Sequence, residues 1–159
     1  MVLLVPYDGS SLATAALARA EEFSLFADEE VVVLSVLPDD EEFARTRGWV
    51  GADEPYDPEA VAADLRARAR EVAPDARFRV ERLESDESNL LANVTTDITR
   101  RIREVAAEED VSVLFIGSEN AGRVSRPLTS VGSSVSGDPR YDVHIVRHPR
   151  DNDPSRGEV

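Results

Sequence analysis

Three short runs in this chain are apolar almost from end to end: Met1–Val5, Val31–Leu37 and Val111–Ile116. Only Ser35 and Ser112 interrupt them. A strand with one wet face alternates apolar and polar side chains; a strand covered on both faces does not. Such runs therefore demand a sheet with helices on both sides, which is the setting of parallel strands joined by crossovers. The intervening segments supply the helices. Ser10 or Ser11 caps a stretch reaching about Phe26, with Leu12, Ala15, Ala16, Arg19, Ala20, Phe23 and Phe26 at helical spacing. Asp57-Pro58-Glu59 opens a second helix to Val72, with Val61, Leu65, Ala69 and Val72 inward and Arg66, Arg68 and Arg70 on a solvated face. Asn89 to Glu109 carries Leu90, Val94, Ile98, Ile102 and Val105 on one stripe. Arg77–Leu83 alternates as an edge strand, and Tyr141–Arg147 alternates as a fifth strand. The sum is one α/β domain with a doubly wound parallel sheet of five strands.

Residues 38–57 read as a loop, with Trp49 and Tyr56 either plugging a core edge or stacking on a ligand; the plug is the preferred reading. The expected boundaries are a domain over 1–148 and a polar, disordered tail over 149–159.

Two turns carry the chemistry. Pro6-Tyr7-Asp8-Gly9-Ser10 follows the first strand; Pro6 cannot donate to a ladder, and Asp8-Gly9-Ser10 is a turn leading to a helix cap. After Val111–Ile116 come Gly117, then Gly122 and Arg123, then Gly132-Ser133-Ser134. Glycines let backbone N–H groups turn toward an anion and let a phosphate come close, and hydroxyls add donors. Small residues also make ordinary turns.

The spacing distinguishes these alternatives. Gly122, nine residues, then Gly132-Ser133 resembles the second half of the nucleotide-binding signature of the universal stress protein family. Gly117 resembles its first glycine, although four residues rather than two separate it from Gly122, and Asn120 stands where the second glycine would fall. The start of the chain is similar to the family's first strand and its P-x-D-G-S turn. The resemblance implies a Rossmann-like fold of the adenine nucleotide alpha hydrolase type, with strand order 3-2-1-4-5. It implies that Pro6, Asp8 and the backbone near Val36 hold the adenosine end of a nucleotide. Gly117, Gly122, Gly132, Ser133 and Ser134 would hold phosphates, and Arg123 or Arg126 would neutralise charge. The implied ligand is ATP, AMP or ADP, with Mg2+ as a companion ion, in a stress-response module with at most slow hydrolysis. It also implies a homodimer paired through Tyr141–Arg147. The expanded first turn favours a rival, a nucleotide-free dimeric interaction protein of the same family.

The 159 residues carry a formal charge of -14, and all 18 basic residues are arginine. A surface this acidic repels nucleic-acid phosphates and anionic lipid. At multimolar salt the Debye length shrinks to ~3 Å or less, so carboxylates barely repel one another; the composition points to a halophile. Without lysine, lysine-dependent phosphate mechanisms are excluded, and without cysteine so are disulfides and thiolate sites. His144 and His148 lie in a strand and its exit, where they do not face together as a metal pair. No apolar window is long enough to span a membrane and the start lacks a basic leader, so the expected place is the cytoplasm.

Overall fold

The computed structural model describes residues 1–84, 91–120 and 141–149, with no side-chain account of 91–93. Its elements run β1 (Val2–Pro6), α1 (Ser11–Ala27), β2 (Glu30–Pro38), α2 (Glu41–Thr46), α3 (Pro58–Val72), β3 (Arg77–Leu83), α4 (Leu91–Glu108), β4 (Val111–Gly117) and β5 (Asp142–Val146). The five strands form one sheet in the order β3-β2-β1-β4-β5. Every pairing is parallel, with Pro6 opposite Leu34 and Gly117 opposite Val146. The chain steps outward from β1 to β2 and β3, then returns to the other side of β1 for β4 and β5. β1 and β4 are thus neighbours whose onward connections diverge, and this is where such a sheet opens a crevice at its carboxyl end.

Period-two alternation sorts the central strands between two cores. Leu3, Val5, Val31, Val33 and Phe115 face Ala13, Ala16, Leu17 and Ala20 of α1 and Val61, Leu65 and Ala69 of α3. Leu4, Val32, Leu34, Val36, Leu114 and Ile116 face Ile102, Val105 and Ala106 of α4. Eight consecutive residues of β2, Val31 to Pro38, are buried, as a strand covered on both faces requires. The alanines of α1 set its distance to the sheet. Gly117 extends the same closeness to the end of β4, where an added Cβ would stand 2.8 Å from Leu12 Cβ.

Three expectations need correcting. Residues 38–57 are not a plain loop: Asp40 accepts from Phe43 N at 3.0 Å and caps α2, which buries Phe43 and Ala44. The inward stripe of α1 is rotated toward Ala13 and Leu17, and Phe26 is left 92% exposed. Arg66, Arg68 and Arg70 lie on an exposed face as expected; there Arg68 Nη2 also donates to the Gly9 carbonyl at 2.7 Å and Arg66 lies over the Phe78 ring. After Gly117 the chain turns helical at residues 118–120 instead of opening directly into a loop. Leu90 and the tail beyond 149 lie outside the described residues.

Candidate functional site

The cleft at the carboxyl ends of β1, β2 and β4 begins with the turn after Pro6. Tyr7 N donates to the Leu34 carbonyl at 2.7 Å, keeping β1 and β2 paired past the proline. The Ser35 hydroxyl, buried inside β2, donates to the Tyr7 carbonyl at 2.7 Å, so this lone polar residue in an apolar strand is satisfied where it is buried. Gly9 takes φ +83°, a left-handed conformation that glycine adopts at little cost. The turn then closes on Asp8, whose Oδ1 accepts from Ser10 N at 2.9 Å, while Ser10 Oγ accepts from Ala13 N and caps α1.

The opposite wall comes from α2 and the residues after it. α2 ends at Gly48, with φ +77°, and Trp49 N returns to the Ala44 carbonyl at 2.9 Å. This left-handed helix stop turns Trp49 inward. Its indole Nε1–H donates to the Asp8 carbonyl at 2.9 Å, and its ring meets Phe43 edge-on, with Tyr56 on its other side. Tyr56 donates to the Pro38 carbonyl at 3.0 Å, and burial pushes its phenol up to about 12. Both aromatics pack against the α1/α3 core, and Trp49 also lines the cleft. Arg47 Nη1 donates to Asp8 Oδ2 at 2.9 Å, with the two side chains 29% and 23% exposed.

The floor is apolar, made by Leu34, Val36, Ile98, Ile102 and Ile116. Thr95, Thr99, Glu119 and Asn120 add polar groups at its edges. The Thr99 hydroxyl already donates to the Thr95 carbonyl at 3.0 Å. Pro6, Asp8, Val36 and Gly117, widely separated in sequence, all line this one cleft. Gly122, Arg123, Arg126, Gly132, Ser133 and Ser134 lie outside the described residues. Among the described residues no group of acidic or histidine side chains is placed to hold a metal ion, and no helix is long and apolar enough to cross a membrane.

The profile of the universal stress protein family matches residues 1–147. The chain belongs to that family. Solved structures agree in fold. A universal stress protein crystallised with cAMP superposes with a TM-score of 0.51 at 19% identity, covering 94% of this chain and 98% of that one. A universal stress protein family member from Burkholderia pseudomallei gives a TM-score of 0.51 at 20% identity, covering 92% and 96%. No curated protein sequence matches this one.

Within this universal stress protein fold, sequence reasoning missed Arg47, Phe43 and the α4 threonines as cleft residues. A signal for the α2 wall was present in Asp40 three residues before Phe43 and in Arg47-Gly48-Trp49, a cap and a helix stop. Nothing local announces the ion pair, whose partners are 39 residues apart.

Proposed function

We propose that this universal stress protein is a regulatory module that binds ATP or a related adenine nucleotide with little or no turnover. The observation that carries the proposal is the meeting of Pro6, Asp8, Val36 and Gly117 around one cleft beside the point where strand order reverses. Its residues fit the adenosine end of the ligand. A flat purine suits a floor of Leu34, Val36, Ile98 and Ile116, and the Asp8 carboxylate is an acceptor for sugar hydroxyls or an exocyclic amine. Phosphates, with Mg2+ as their companion ion, are assigned to Gly117, Gly122, Arg123, Gly132, Ser133 and Ser134 by the family signature. The cAMP-bound relative supports the adenine class of ligand.

The wider reading is of a cytoplasmic protein of a halophile, with a domain over 1–148 and a polar tail, acting as a homodimer through its last strand. β5 is a sheet edge with Ile145 37% exposed, and unprotected edges pair or are covered. Light scattering that gives a monomer at high salt would remove the dimer.

The nucleotide reading is tested by mass spectrometry of the denatured, purified protein for co-purified nucleotide, and by calorimetry with Mg-ATP. Gly132→Val should abolish binding and leave the fold intact. Equal affinity for the parent and this variant would mean that the Gly132 loop does not hold phosphate. One observation favours the rival nucleotide-free interaction protein: the chain turns helical at 118–120, inside the expanded first turn. Absence of binding by the parent would select it.

A further inference from the structure

We infer that Arg47 is a binding residue of the cleft and selects for a charged nucleotide over the uncharged nucleoside. The inference rests on the nucleotide reading given above and adds to it a residue that the family signature does not contain.

Charge is the first reason. The described lining residues bring two carboxylates, Asp8 and Glu119, and a single cation, Arg47. Without Arg47 the cleft would present two negative charges to a ligand that is itself an anion, on a protein of net charge -14. Paired at 2.9 Å, Arg47 turns Asp8 into half of a neutral pair. Repulsion of an incoming phosphate then falls while the Asp8 oxygens keep lone pairs to offer.

Placement is the second reason. The backbone that carries Arg47 is fixed on both sides. Before it, Phe43 is 5% exposed and Ala44 is fully buried. After it, Gly48 and the hydrogen bond from Trp49 N to Ala44 close the helix end, and the Trp49 indole is tied to the Asp8 carbonyl. The guanidinium itself lies over the Phe43 ring, 5.0 Å from its centroid. A guanidinium has five N–H donors; among the described residues Arg47 gives one to Asp8. Arg47 lines the cleft, and a guanidinium already held by Asp8 and Phe43 has little side-chain entropy left to lose, the condition under which an arginine binds phosphate well.

The test compares AMP with adenosine by calorimetry on the parent, Arg47→Met and Arg47→Lys, at the lowest KCl concentration at which all three stay folded. AMP keeps the ligand's charge near Asp8, and low salt keeps that charge unscreened. Arg47→Met should weaken AMP about tenfold or more, the scale of one charge at a partly exposed site, and adenosine by no more than about threefold. Arg47→Lys keeps the charge but not the planar fork over Phe43, so it should recover only part of the AMP affinity. Equal losses for both ligands in Arg47→Met would overturn the inference and leave the nucleotide reading standing, since Arg47 would then only shape the wall. A gain in AMP affinity would overturn it in the other direction, making the ion pair a block on the site. A parent that binds neither ligand would end both the inference and the reading beneath it.

Discussion

Gly117 is a phosphate-binding residue only by proposal, yet the fold gives it a packing role that can be measured without any ligand. Replacing it with alanine puts a Cβ 2.8 Å from Leu12 Cβ. Leu12 Cβ is fixed to the backbone of α1, so no flexible side-chain end can move aside. Either α1 or the end of β4 must shift. Such overpacking costs about 1–3 kcal/mol. Against it stands the entropy that a glycine loses on folding, which returns about 0.4–1 kcal/mol when alanine is tolerated by the backbone. Packing wins by about 1–2 kcal/mol, and for a chain of this size each kcal/mol lowers the melting temperature by roughly 2–4 °C. Thermal unfolding followed by circular dichroism, at matched KCl, should therefore place Gly117→Ala about 2–8 °C below the parent. Leu12→Gly removes the opposing Cβ, so the double variant should lose less than the sum of the two single changes, with a coupling of about 1 kcal/mol. A Gly117→Ala protein that melts at or above the parent would refute the close packing of α1 on β4.

Three further outcomes follow from the charges and the buried phenol. The melting temperature should rise substantially from ~0.1 M to multimolar KCl, as screening relieves carboxylate repulsion; a flat or falling curve would remove the halophile reading. Glu109 accepts from both Arg77 and Arg79, and the Arg77 guanidinium holds its carboxyl below the ordinary range. A depressed carboxyl stabilises the fold above its unfolded value and loses that contribution as pH falls through the folded value. Glu109→Gln should thus cost about 1 kcal/mol at neutral pH and low salt, and less toward acid, in denaturant titrations. For Tyr56 the sign is reversed: its phenol is raised to about 12, so stability should fall as pH climbs from about 10 toward that value. Tyr56→Phe should remove this part of the alkaline slope, and an unchanged slope would contradict a buried phenol.

The parts of the fold that were legible in sequence rest on local or periodic signals. Val31–Leu37 declares itself covered on both faces, and Pro6, Gly9 and Ser10 each act within a few residues of themselves. Asp57-Pro58-Glu59 did start a helix, with Asp57 accepting from Glu59 N at 3.1 Å. The parts that were missed depend on distant partners. α2 has six residues, too few for propensity to decide, and burial of Phe43 and Ala44 decides instead. Phe26 has the spacing of a core residue on the stripe read from the sequence, but the buried face is centred on Ala13, Ala16, Leu17 and Ala20 instead. Arg68 has the sequence context of a surface charge and caps the Gly9 carbonyl across 59 positions. Pro6, Asp8, Val36 and Gly117, singled out in the sequence, line one cleft; the α2 wall, whose cap and helix stop the sequence does carry, was read as loop.

Trp49 is the sole tryptophan of the chain, and its indole is bonded to the backbone of the residue at the centre of the cleft. Excited at wavelengths that its three tyrosines do not absorb, the unlabelled protein therefore emits from one address. A ligand that displaces water from Asp8 or disturbs the Trp49 hydrogen bond must shift that emission, whereas events at β3 or the far end of α1 leave it alone. Stopped-flow fluorescence can then time the arrival and departure of molecules without a dye, a tag or a mutation.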